Sequence, residues 1–172
     1  MKLIHCNREH SAAILDIFND AILHTTALYD YNPRPLSSMD DWFATKEKKG
    51  LPVIGLLTAD NQLAGFASYG TFRDRPAYHY TVEGSVYIHK DHRGKGYGKI
   101  LLPALIAAAR EQDYHCMMAG IDSSNAASIR LHEQFGFQFC GRLKEVGYKF
   151  GNWLDLTFYH LVLDTPTHPQ EK

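Results

Sequence analysis

Apolar positions along the chain follow two periods, and the places where the period changes mark the elements. Leu3, Ile4, His5 and Cys6 read as a first strand. Ile14, Ile17, Phe18, Ala21 and Ile22 recur three and four apart, which gathers them on one face of a helix. Positions 25–39 carry Pro33, Pro35 and several aromatics, so they read as a loop, followed by a short helix over 40–48 capped by Ser38 and anchored by Trp42. Segments 52–58 and 63–71 read as a hairpin around Asp60 and Asn61. A polar, aromatic loop over 73–80 leads into a strand over 81–88. Leu101, Leu105 and Ala108 define an amphipathic helix over 100–112. Pro103 removes a hydrogen bond inside it, so that helix either kinks or starts later. Strands over 116–122, 138–144 and 154–163 and a helix over 125–134 complete the chain, and the tail with Pro166 and Pro169 reads as loose. This order is α+β with a mixed sheet. It implies one domain over 1–163 and a tail over 164–172.

Composition narrows the class. A chain of 172 residues can bury one substantial core. A formal net charge of −1, with no block of one sign, argues against a nucleic-acid partner. No 18-residue apolar run and no signal peptide are expected, so no membrane partner is either. Cys6, Cys116 and Cys140 are an odd, widely spaced set that reads as reduced thiols, and the cytoplasm as the compartment.

The densest chemistry lies in Arg93-Gly94-Lys95-Gly96-Tyr97-Gly98, between a strand and a helix. Glycine lets backbone approach a ligand closely, and a helix start presents unpaired N–H groups with about half a positive charge. The turn therefore reads as a cradle for a phosphate or pyrophosphate. A Walker loop fails, because Arg93 and Ile100 stand where Gly and Ser/Thr are needed. The dinucleotide fingerprint fails at Lys99. His89 and His92 lack a third ligand at metal spacing, so no metal is expected.

What fits is [QR]-x-x-G-x-G, and here the chain resembles the acetyl-CoA pyrophosphate loop of GNAT-type N-acetyltransferases. Asn125 to Phe137 resembles the second signature of that family, N-x-x-[AS]-x-x-L-[YH]-x-x-x-G-[FY], with Gly136 ending the helix. Thr81 to Ile88 and Gly147 to Asp155 resemble segments of its phosphinothricin and methionine sulfoximine acetyltransferase branch. The resemblance covers residues 2 to 163. It implies a GNAT fold: a mixed, mostly antiparallel twisted sheet flanked by helices, with acetyl-CoA bound where the strand after the central one splays away.

The resemblance also implies roles. Val86, Tyr87 and Ile88 would meet the cofactor through backbone, Arg93, Gly94, Lys95, Gly96, Tyr97 and Gly98 would hold the pyrophosphate, and Asn125 and Ser128 would meet the pantetheine arm. Glu83 would take the proton of an amine, directly or through water, or else is an exposed edge-strand residue. His132, where most of the family has Tyr, would serve as acid or relay near the thiol, or simply pack, with Tyr87 as runner-up. Arg73 and Arg75 suit a carboxylate or phosphinate, with Tyr78 beside them and Leu28, Tyr29 and Tyr31 as a wall over the substrate. Gly84 departs from the His found in many relatives. No cysteine stands in a nucleophile setting, so direct attack is expected rather than an acetyl-cysteine intermediate.

The implied activity is acetyl transfer from acetyl-CoA to the free α-amino group of a small amino acid analogue such as phosphinothricin, methionine sulfoximine or methionine sulfone. A protein or peptide amine is the alternative substrate, and a non-catalytic acyl-CoA sensor the alternative class. The branch also implies a homodimer, to which Phe150, Trp153 and Phe158 would lend apolar surface.

Overall fold

The computed structural model describes residues 1–171. Seven strands form one sheet: β1 (Lys2–His5), β2 (Val53–Leu57), β3 (Leu63–Thr71), β4 (Thr81–Ile88), β5 (Cys116–Asp122), β6 (Gln138–Lys149) and β7 (Asn152–Val162). Their order is β1-β2-β3-β4-β5-β7-β6. Every neighbouring pair is antiparallel except β4 and β5. A parallel pair needs a crossover, and α3 (Gly98–Glu111) supplies it. The remaining helices are α1 (Ser11–His24), α2 (Ser38–Lys49) and α4 (Ala126–Gln134). The expected α+β architecture with a mixed sheet is what the molecule has.

Alternation along the central strands sends neighbours to opposite faces. Val53 and Phe66 pack with Ile14, Ile17 and Phe18 of α1 and Met39 and Phe43 of α2. Ile54 and Ala67 pack with Leu101, Leu102, Leu105 and Ile106 of α3. With both faces covered, β3 is buried along nearly its whole length. Replacing Leu105, which is fully buried, with Ala would cost about 2–5 kcal/mol.

Several boundaries differ from the sequence reading. Helix α2 starts at Ser38, whose hydroxyl donates to the Pro35 carbonyl (2.7 Å) instead of capping. Helix α3 starts earlier, at Gly98, and contains Pro103. That proline sits in the second turn, so it deprives only the Lys99 carbonyl of its donor. Strand β6 runs to Lys149 and β7 begins at Asn152, joined by Phe150 and Gly151 with φ of 51° and 77°. Two positive φ values make the tight turn whose twist suits a hairpin. The apolar alternation fails at Glu145 because the strand carries extra residues there: Glu145 has φ 54° and the pairing shifts between Leu143 and Gly147. The tail is fastened rather than loose: Thr165 donates to the Tyr114 carbonyl, and the Gln170 amide donates to the Tyr80 hydroxyl (3.0 Å). Among the described residues no helix is long and apolar enough to cross a membrane.

Candidate active site

Strands β4 and β5 pair over only three residues, Thr81–Glu83 with Cys116–Met118. Beyond Glu83 they part, while β4 stays paired to β3 as far as Ile88. The side of β4 facing β5 therefore carries backbone groups without a strand partner, and such groups need another acceptor or donor. A cleft of about 990 Å³ opens into this gap. It is bordered by Val86, Tyr87 and Ile88, by Arg93, Gly94, Gly96, Tyr97 and Gly98, and by Asn125 and Ser128. A smaller cavity of about 60 Å³ continues inward between Gly84–Tyr87 and Ala119–Asp122, with Ala27 and His132 on its wall.

The glycine turn is built for close approach. Gly94 and Gly96 have φ of 75° and 79°, a conformation that side chains resist. Gly98 has a different reason: a Cβ there would lie 2.7 Å from Leu131 Cδ2, so its absence lets α3 seat against α4. Among the described residues, the backbone N–H groups of residues 94–98 donate to no protein acceptor. Five successive free donors at a helix start fit a pyrophosphate well. Two of the basic side chains nearby are engaged elsewhere, while Lys99 and Arg130 border the cleft. Arg93 ion-pairs with the mostly buried Asp20 of α1 and donates to the Ile88 carbonyl (3.3 Å). Lys95 donates to the Asp91 carbonyl (2.9 Å) and does not border the cleft.

Asn125 caps α4, its Oδ1 accepting from the Ser128 amide (3.1 Å). One turn on, His132 is buried. Its Nδ1 lies 2.8 Å from the Ser128 carbonyl, which can only accept, so Nδ1 carries the proton and Nε2 is an acceptor. Burial pushes the imidazole below its usual 6.5, against the opposing pull of that hydrogen bond. His132 is thus a neutral ring, standing edge-on to Phe137 (centroids 4.9 Å apart).

Glu83 is the last residue of β4 paired to β5, at the point where the gap begins. Alternation puts it on the same face as Ser85 and Tyr87. Burial raises its carboxyl above the usual 4.5, and the charge of Arg73 partly opposes this. Its Oε1 lies over Gly120, where a Cβ would come within 3.1 Å of it. Gly84 faces the other way: a Cβ there would meet Met117 Sδ at 3.0 Å and Leu105 Cδ2 at 3.3 Å. The missing side chain would therefore enter the α3 core, on the face opposite Glu83.

The residues expected at the substrate are less gathered. Arg73, Arg75 and Tyr78 are exposed, Arg73 over the Phe72 ring (5.3 Å) and Tyr78 edge-on to it (5.7 Å). Leu28 is half-buried against the α1–α2 core. Tyr31 is exposed, and its hydroxyl donates to the Tyr148 carbonyl (2.6 Å). None of these five borders the cleft or the inner cavity. Wall residues that sequence reasoning passed over include Thr25, Thr26, Ala27, Leu131 and Phe150. Leu131 was findable, since it stands three residues beyond Ser128 on one helical face. Thr25 to Ala27 carried no chemical signal.

A sheet splayed after its central strand, with an anion-binding turn at the mouth of the gap, defines an acyl-CoA-type transferase scaffold. Residues 13–137 match the acetyltransferase (GNAT) family. The chain is 48% identical over 151 residues to the L-methionine sulfoximine/L-methionine sulfone acetyltransferase of Pseudomonas aeruginosa, covering 88% of each. It is 41% identical over 169 residues to the L-amino acid N-acyltransferase of Escherichia coli, covering 98% of each. A phosphinothricin acetyltransferase from Sinorhizobium meliloti, solved in complex with acetyl-CoA, superposes with a TM-score of 0.94 at 31% identity, covering 99% of this chain and 92% of that one. The chain belongs to the GNAT acetyltransferase family.

Proposed function

We propose that this protein transfers the acetyl group of acetyl-CoA to the free α-amino group of a small amino acid analogue of the methionine sulfone, methionine sulfoximine or phosphinothricin type. The observation that carries this reading is the cleft itself, with a run of free backbone donors at residues 94–98 at one end and the unpaired edge of β4 along it; that edge begins at Glu83, which lies at the end of the β4–β5 seam and outside the walls of the cleft and the inner cavity. The relatives' activities support the same reading.

In this reading the pyrophosphate rests on the amides of Gly94 to Gly98, and the arm runs along Val86, Tyr87 and Ile88 opposite Asn125 and Ser128. Arg93 and Lys95 act on the turn's shape rather than as phosphate-binding cations, because both are held by other partners. Glu83 accepts a proton from the amine, directly or through water, and its raised pKa suits a base for an ammonium group. The amine attacks the thioester carbonyl, a C–N bond forms, and the C–S bond breaks with the electron pair leaving on sulfur. His132, neutral and with Nε2 unprotonated, takes up a solvent proton at Nε2 and passes it to that sulfur, keeping its own Nδ1 proton on the Ser128 carbonyl. Arg73 and Arg75 recognise the acidic end of the substrate, and Leu28, Tyr31 and Tyr78 enclose it.

The C-terminal hairpin supports a homodimer. Leu143, Val146, Phe150 and Trp153 expose roughly half or more of their surface on this hairpin, apolar area that a partner could cover. Phe158 is partly buried and adds less. We place the enzyme in the cytoplasm, in detoxification of such analogues, with residues 1–163 as the catalytic domain.

The test is thiol release from acetyl-CoA with methionine sulfone, methionine sulfoximine, phosphinothricin, ordinary amino acids and a peptide amine. Turnover confined to the small analogues is expected. Preference for the peptide, or CoA binding with no turnover on any amine, overturns the proposal.

A further inference from the structure

Lys149 is a buried lysine that the chemistry above does not use. It ends β6, and only 3% of its surface is exposed. Its ammonium donates to the carbonyls of Thr25 (2.8 Å) and Leu28 (2.6 Å), and lies 4.9 Å from the centroid of the Phe150 ring. Among the described residues no carboxylate pairs with it. A buried cation whose counter-charge, Asp30, lies beyond ion-pairing distance is costly to keep, so its three donors must be well used. What it uses them on is the segment between α1 and α2. Thr25, Thr26 and Ala27 form part of the cleft wall, and Ala27 also borders the inner cavity.

A second anchor fixes the same segment. The Tyr29 hydroxyl donates to Asp122 Oδ2 (2.8 Å), at the inner end of β5. Its ring lies so close to Gly147 that a Cβ there would come within 2.8 Å. Residues 25–29 are thus pinned from two sides, by the end of β6 and by the end of β5. Asp122 is itself saturated by the Ser124 amide and hydroxyl, so its position is set independently.

We propose that Lys149 is a positioning residue that holds residues 25–29 as a fixed wall over the acyl end of the cleft, and thereby limits the length of the acyl group accepted. This rests on the acetyltransfer reading. The inner cavity is small, about 60 Å³. An acetyl group suits that space, and a longer chain meets Ala27.

The experiment compares wild type with Lys149→Met, using acetyl-CoA and propionyl-CoA and a fixed amine. Removing the ammonium leaves two carbonyls without their donor. A charged hydrogen bond is worth enough that KM for acetyl-CoA should rise about tenfold, with a smaller change in kcat. The preference for acetyl-CoA over propionyl-CoA should shrink by a similar factor, which a merely structural lysine would not cause. Tyr29→Phe, a milder change that removes the second anchor, should shift both quantities in the same direction, and serves if Lys149→Met does not fold. Folded variants with KM and acyl preference within twofold of wild type overturn the proposal. Wild-type protein that turns over no acyl-CoA instead overturns the acetyltransfer reading, and this proposal with it.

Discussion

Gly120 offers a way to move Glu83 without touching it. Alanine there would put a methyl group 3.1 Å from Glu83 Oε1, 3.5 Å from Phe158 Cε1 and 3.7 Å from Leu156 Cδ1. Only the first contact is tight, and it falls on the free end of a flexible side chain. The stability change should therefore stay below the roughly 1–3 kcal/mol of overpacking a rigid core. The electrostatic effect is larger in proportion. Burial already raises the Glu83 carboxyl, and a methyl in place of solvent disfavours its charged form further. One pKa unit corresponds to about 1.4 kcal/mol, so a displacement of about that size would slow the reaction about tenfold on the acid limb. A base must be deprotonated, so the limb of kcat/KM against pH should move to higher pH while the alkaline plateau changes little. The assay is thiol release with methionine sulfone across that range, beside denaturation midpoints. Glu83→Gln should abolish the limb and lower the plateau by about 10²–10⁴-fold. Gly120→Ala added to Glu83→Gln should then do nothing more, because the two act through one group. An unmoved limb in a stable Gly120→Ala variant, or additive effects in the double variant, would refute Glu83 as the base.

Three further expectations follow from the same geometry. Gly147→Ala would force a Cβ to within 2.9 Å of two atoms of the Tyr29 ring, which its bond to Asp122 holds in place; urea denaturation should show about 1–3 kcal/mol of lost stability, and an unchanged midpoint would mean the ring is free to move. His132 is held neutral in the fold, so the unfolded chain takes up a proton first as pH falls; the resulting stability is intact above 6.5 and declines below it. His132→Gln should lose less stability on crossing that value than wild type does, and equal losses would remove His132 as the cause. Wild type should sediment as the proposed dimer and Trp153→Glu as a monomer; a Trp153→Glu dimer would place the interface away from the C-terminal hairpin, and a monomeric wild type would refute the dimer.

Much of this could be read in the sequence because the informative residues carry local constraints. The spacing of Ile14, Ile17, Phe18, Ala21 and Ile22 gave α1 its buried face, and all five are buried. Strands β4 and β5 kept the boundaries their patterns implied. Gly94 and Gly96 stood out because their backbone excludes most other residues. What escaped depends on contacts distant in sequence. Asp155 stabilises the irregular stretch of β6 by accepting from the Glu145 amide (2.8 Å), a pairing no local pattern reveals. Thr25 and Leu28 gain meaning only through Lys149, more than a hundred positions away. Arg93 announced itself as a phosphate ligand by charge and position, yet Asp20 on α1 claims it. In each case tertiary geometry decided between uses that the residue type alone left open.

The short seam between β4 and β5 divides the enzyme's heritable parts into two kinds. The groups that the gap and the glycine turn expose are main-chain groups, and no point mutation other than one to proline removes a main-chain N–H. The loop with Arg73, Arg75 and Tyr78 is made of exposed side chains, each replaceable without disturbing a core. In the proposed reading, recognition of the acyl donor rests on main-chain architecture, while choice of amine falls to a few surface side chains. Under that reading, such a scaffold can take a new amine by revising one loop, and keep its source of acetyl groups throughout.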